Sequence, residues 1–217
     1  MPNLIVSRRR ILRWTGGGAT VAIAGTLLPN FGISRALAAD LGAGDTGVLN
    51  YAYALEQLEA AFYTQVVDSM YGGAMDGEAQ IMTDLRDHEV DHRDFLKDAL
   101  GEDAIGDLEV DFSAVDFSSR DSVLMTARTF EDLGVSAYNG AGKLIENPDY
   151  LLQAGRIVSV EARHAAVIRD LINPNSVAFA GDDVVDENGL DGALDPADVL
   201  AAADPFIVTE VTAQALV

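Results

Sequence analysis

Two Glu-x-x-His pairs, Glu89 with His92 and Glu161 with His164, use two of the chain's three histidines. On a helix, residues three apart share a face and can reach a common point. The flanking residues extend each face. Leu85, Glu89, His92, Leu96 and Ala99 follow a 4-3-4-3 spacing, and Ile157, Glu161, His164, Ile168 and Leu171 repeat it position for position, as a bundle seam does. Two further segments match each other: Leu49, Glu56, Tyr63 and Met70 fall seven apart, as do Leu124, Glu131, Tyr138 and Ile145. An ionised glutamate buried alone is very costly, and four in one core are untenable unless cations compensate them. Two divalent metals would do so, and carboxylates with neutral imidazoles suit iron or manganese in open, redox-capable coordination. The predicted metal ligands are therefore Glu56, Glu89, His92, Glu131, Glu161 and His164. A single Glu-x-x-His is ordinarily a solvated pair; two in register with paired seam glutamates are a metal-site pattern.

The matching segments make the chain a duplicated helical hairpin, its halves offset by 75 residues in one pair of helices and 72 in the other. The duplication sorts the remaining polar residues. Glu59 also falls on a seam position, but its counterpart is Gly134, which leaves it outside the primary set as an outer carboxylate, an extra ligand or a flank residue. His88 aligns with Val160 and reads as a surface group or a support for a ligand rather than a ligand. Tyr63 and Tyr138 either hydrogen-bond ligand carboxylates or simply pack in the core.

Four helices must position these residues. The first is predicted over about Thr46 to Met70, the second from Gly77 to Leu100, stopping at Gly101. The third begins near Asp121-Ser122 and runs to about Glu146. The fourth opens at Asn147-Pro148, an N-cap followed by proline at the first helical position, and stops before Asn173-Pro174. Short links join helices one to two and three to four, while residues 101–120 separate two from three. A helix of ~24 residues is ~36 Å long, so a link running back along it needs about eleven extended residues. The long link suffices, and the expected fold is an all-α four-helix bundle with one crossover between helices two and three.

The bundle is expected over 45–172 and an acidic C-terminal extension over 173–217, packing on the bundle or on a partner subunit. Asp182, Asp183, Asp186, Asn188, Gly189 and Asp191 fail the calcium-loop spacing, which would put Val184 at the first ligand position, and read as a solvated acidic turn. Before the bundle, Ser7-Arg8-Arg9-Arg10, an apolar run to Leu28 and Ala36-Leu37-Ala38 resemble a twin-arginine export signal over 1–38, cleaved after Ala38. An uncleaved anchor is the other reading, but Gly16 to Gly18 and Pro29 leave the run short of the ~20 apolar residues that span a bilayer. The expected location is periplasmic or extracellular, with no stable membrane span after cleavage.

Five of the 14 basic residues precede residue 39, and none of the 35 acidic ones does. The strongly negative remainder disfavours nucleic acid and anionic membranes as partners. With only two lysines, Lys97 and Lys143, it fits either a high-salt habitat or an ordinary acidic exported protein. The absence of cysteine excludes disulfides and thiolate metal sites.

The segments Leu49-Asn50-Tyr51-Ala52, Leu55-Glu56-Gln57-Leu58-Glu59-Ala60-Ala61-Phe62-Tyr63, His88-Glu89-Val90-Asp91-His92, Val160-Glu161-Ala162-Arg163-His164-Ala165-Ala166 and Asp204-Pro205-Phe206-Ile207 resemble the ferritin-like superfamily. Within it, the chain is more closely similar to exported ferritin-like domain proteins that include plant desiccation-related proteins. The resemblance implies that Glu89 and Glu161 bridge two metals, that Glu56 and Glu131 are terminal carboxylates, and that His92 and His164 cap one metal each. It does not fix a reaction, since relatives in fold store iron, oxidise it, reduce peroxides or activate oxygen; the leading expectation is a redox enzyme acting on a small oxidant, peroxide or oxygen, with a non-catalytic, metal-stabilised protective or binding protein, as the desiccation-related relatives suggest, as the alternative, and an iron-storage cage the remote one. A homodimer is left open.

Overall fold

The computed structural model describes residues 38–216, so the predicted export signal, apart from Ala38, lies outside the described residues. Four long helices form the bundle: α1 (Gly44–Asp68), α2 (Glu78–Leu100), α3 (Arg120–Ala141) and α4 (Pro148–Ile172), followed by a short α5 (Pro196–Ala203). Asn147 caps α4 by accepting from the Asp149 amide, with Pro148 next, as the sequence predicts, and Ser119 caps α3 through the Ser122 amide. Helix α3 stops at Ala141, short of the predicted Glu146, and a single 3-10 turn, Gly142–Leu144, follows it. Gly140 and Gly142 weaken helix propagation here. Gly140 is also required for packing, since a Cβ there would stand 1.8 Å from the Leu194 carbonyl oxygen. No described helix is long and apolar enough to cross a membrane.

Helix α1 is central. Sixteen of its 25 residues are buried, so it needs cover on the side that α2 and α3 leave open, and residues 101–119 supply it. The crossover runs the length of α1, meeting Asn50 near its start, then Gln57, then Phe62, and finally pairing Ser119 with Gly72 beyond its end. Asn50, fully buried, donates to the Leu41 and Asp103 carbonyls and accepts from the Ile105 amide. Each such bond contributes about 1 kcal/mol net and would cost more left unmade. Further along, Phe62 packs edge-on to Phe112 and Phe130, and Phe206 from the C-terminal segment packs on Phe130.

The ends of the elements are tied by charge. Glu78, buried at the first turn of α2, accepts from Tyr71, the Met75 amide and Arg120, and Arg120 also donates to the Leu171 carbonyl. Arg169, buried on α4, binds Asp132 of α3 through two nitrogens and also reaches Asp183. Asp183 is therefore ion-paired, where the sequence suggested a wholly solvated turn; Asp186 does hold a local turn by accepting from the Asn188 and Leu190 amides. The first and last strands of the described residues meet in a parallel two-strand ladder, β1 (Ala39–Asp40) beside β2 (Val211–Thr212).

Candidate metal centre

Each bundle helix delivers its predicted residues to one interior point. Glu56 comes from α1, Glu89 and His92 from α2, Glu131 from α3, and Glu161 and His164 from α4. The four glutamates are completely buried. His92 Nδ1 lies 3.0 Å from Glu161 Oε1 and 3.5 Å from both Glu56 Oε2 and Glu89 Oε2. Across the centre, His164 Nδ1 lies 2.7 Å from Glu89 Oε1 and 3.5 Å from Glu131 Oε2. The ligand atoms fall into two groups, Glu56–Glu89–His92–Glu161 and Glu89–Glu131–Glu161–His164, each with its atoms within 4.8 Å of one another. Glu89 and Glu161 belong to both.

Protein atoms alone do not satisfy this cluster. Both oxygens of Glu89 and of Glu161, one oxygen each of Glu56 and Glu131, and Nδ1 of His92 and His164 are buried without hydrogen-bond partners. Buried polar atoms are nearly always paired, so a concentration of orphans that are all metal-donor types fits a pair of cations. Four carboxylates and two neutral imidazoles would be neutralised by two divalent ions.

Without cations, the charges packed into the cluster shift its proton affinities. Burial opposes a charge on His92, yet Glu161, Glu56 and Glu89 outweigh it and push its pKa up to about 12; Glu131 and Glu89 likewise raise His164 to about 11 against burial. Burial works to raise Glu89, but His164 and His92 beside it prevail and hold it at about 2. Burial and then the Glu89 charge lift Glu56 to about 8, and burial raises Glu131. Glu161 is driven well up by burial and then by Glu89.

A second layer supports these groups. Tyr63 of α1 donates to Glu131 of α3, and Tyr138 of α3 donates to Glu56 of α1, both at 2.5 Å. Both tyrosines make the carboxylate bond, and both also pack against the core. His88 Nδ1 lies 2.9 Å from His164 Nε2 with the rings parallel. If the Nε2 proton of His164 is given to His88, Nδ1 is left as a lone-pair donor facing the carboxylates. The duplication offers no hint of this contact, because the residue matching His88 is Val160. Glu59 is buried but belongs to neither group. A Cβ at Gly134 would stand 3.3 Å from Glu59 Oε1 and 3.2 Å from Glu161 Oε2, so the glycine opposite makes room for the extra carboxyl. Burial, followed by the Glu161 charge, raises Glu59 well above the carboxylate range.

A sequence profile for the ferritin-like domain matches residues 44–174, which takes in α1 to α4 from end to end. The chain belongs to the ferritin-like domain family. No curated protein matches it by sequence. The ferritin-like domain accounts for the bundle and the crossover, and its interior carries a buried Glu/His cluster that could hold metal ions. Residues 1–43 and 175–217 of this ferritin-like protein lie outside the matched region.

Proposed function

We propose that this ferritin-like protein holds two iron or manganese ions and reacts with peroxide or oxygen outside the cytoplasm. The observation that carries this reading is the sharing of Glu89 and Glu161 between two otherwise separate donor groups, the arrangement that lets one carboxylate pair span two cations. Glu56 and His92 would complete one position, and Glu131 and His164 the other. When bound, such ions supply a site for an oxidant and exchange electrons with it. The chain's own residues hold and orient: Tyr138 and Tyr63 fix the terminal carboxylates, His88 fixes the His164 ring, and burial keeps bulk water from the carboxylates. His92, with a side chain 13% exposed against 5% for His164, marks the side open to a small oxidant. Export rests on the twin-arginine-like segment over 1–38 alone; a cut after Ala38 would leave β1 whole at the new N-terminus.

Elemental analysis of protein purified through its native export route, followed by peroxide-consumption and ferrous-oxidation assays on the same sample, tests the proposal. Two ions per chain and turnover in at least one assay are expected. Full occupancy with neither reaction sinks the catalytic reading. It would leave a metal-stabilised stress protein of the desiccation-related kind, in which Glu89→Gln lowers stability and nothing else.

A further inference from the structure

A cavity of about 230 Å³ lies at the end of the bundle where α1 and α4 begin and α2 and α3 finish. Its walls are almost wholly apolar, and it reaches the surface beside Phe95 and Asp149, both exposed. Ala52, Leu96 and Ile157 line it, and each stands four residues, one helical turn, from a member of the metal cluster on its own helix: Glu56, His92 and Glu161. Tyr138, whose hydroxyl is bonded to Glu56, lies in the wall between cavity and cluster.

The duplication shows that the space is particular to this end. At the opposite end of the bundle, the positions matching Ala137, Ala141, Ala154 and Ala99 are Phe62, Val66, Met82 and Leu171, all buried in the main core. Large side chains fill one end of the pseudo-symmetric bundle; alanines leave the other hollow. Ala99, on the seam by spacing, is exposed at the mouth instead of packed.

We infer that this cavity binds an apolar organic molecule, with its carbon chain among the alanines. An apolar cavity of about 150 Å³ binds benzene, so this one accommodates roughly nine non-hydrogen atoms. The binding site stands on the cavity itself. That its occupant serves the neighbouring metal centre as an organic substrate rests on the function proposed above.

Calorimetric titration of the exported full chain with octan-1-ol, with metal content measured on the same sample, tests the inference. Saturable binding of one molecule per chain is expected. Ala154→Met at the half-buried rim and Ala137→Phe, which copy the filled end, should each weaken it about tenfold or more by occupying the space. If Ala137→Phe fails to fold, Ala154→Met carries the same test. Absence of saturable binding, equal binding by all variants, or a dimer that Ala154→Met disperses while no alcohol binds would overturn it. Alcohol bound by protein that takes up no metal would overturn the proposed function and leave this inference standing; metal uptake without alcohol binding would do the reverse.

Discussion

The Tyr63 hydroxyl donates to Glu131 across the bundle at 2.5 Å, and the duplicated tyrosine, Tyr138, returns the same bond from α3 to Glu56 of α1. The two bonds cross between the same pair of helices, so each half of the duplication braces the carboxylate of the other. Tyr63→Phe and Tyr138→Phe should therefore have similar effects. Each leaves a buried carboxylate oxygen without its donor, at a cost of about 1.5–3 kcal/mol, and weakens metal binding about 10- to 100-fold. Thermal melts and metal-competition titrations check both figures; an effect confined to one tyrosine would break the equivalence.

The shared carboxylates and the terminal ones should differ in stoichiometry. Glu131→Ala removes a donor from one group only, whereas Glu89→Ala removes a donor from both. Elemental analysis is expected to show one ion retained in the first variant and almost none in the second. Equal losses would mean that the two groups do not act as separate metal positions.

The pH dependence of stability should change sign when metal is added. In metal-free protein, the folded-state values of Glu56 (about 8), His164 (about 11) and His92 (about 12) all lie above their ordinary ones. A raised value contributes stability that is fully present below the unfolded-state pKa and is lost as pH rises through the folded one. Glu56 loses its contribution between about pH 4.5 and 8, and the histidines begin to lose theirs above about pH 6.5. The metal-free melting temperature should thus fall from about pH 6 to about pH 9. Metal must displace those protons, so its affinity, and the stability it adds, should rise over the same interval. Glu89, held low, contributes its change only in acid, below about pH 4.5. Parallel melts with and without manganese would show the two opposite slopes.

Gly134→Ala places a methyl group 3.2 Å from Glu161 Oε2 and 3.3 Å from Glu59 Oε1. One of the two carboxyls must move, and a loss of about 1–3 kcal/mol is expected. Glu59→Ala should relieve much of it, giving a coupling energy of about 1 kcal/mol or more in a double-mutant cycle. Additive effects would show that Glu59 and Gly134 do not share the space.

Which parts of this were legible in the sequence follows from periodicity. Glu89, His92, Glu161 and His164 stand out because two helices carry them at the same seam positions, and Glu56 and Glu131 because the other two helices repeat each other. The crossover could be read from its length, since 101–120 is long enough to run the length of a helix. The His88 contact with His164 could not, because it lies between side chains on different helices and breaks the duplication. Nor could the pairing of Asp183 with Arg169, which depends on how a loop folds back. The sequence carries the expected end of α3 too far because the apolar spacing continues through Leu144 and Ile145 after the helical backbone has tightened into a 3-10 turn. The hollow end of the bundle was hidden because alanines at core positions look the same in sequence whether their neighbours close over them or not.

The short ladder between Ala39–Asp40 and Val211–Thr212 joins the two extremities of the described chain, with Ala39 donating to the Glu210 carbonyl and Leu41 to that of Thr212. Its strands are parallel, so tension applied through residue 38 on one side and residue 213 on the other drags them past each other lengthwise. Both bonds then bear the load together instead of opening one after the other. The ladder is a mechanical clasp, and a tug on either end must break it before the helices behind it can be drawn out.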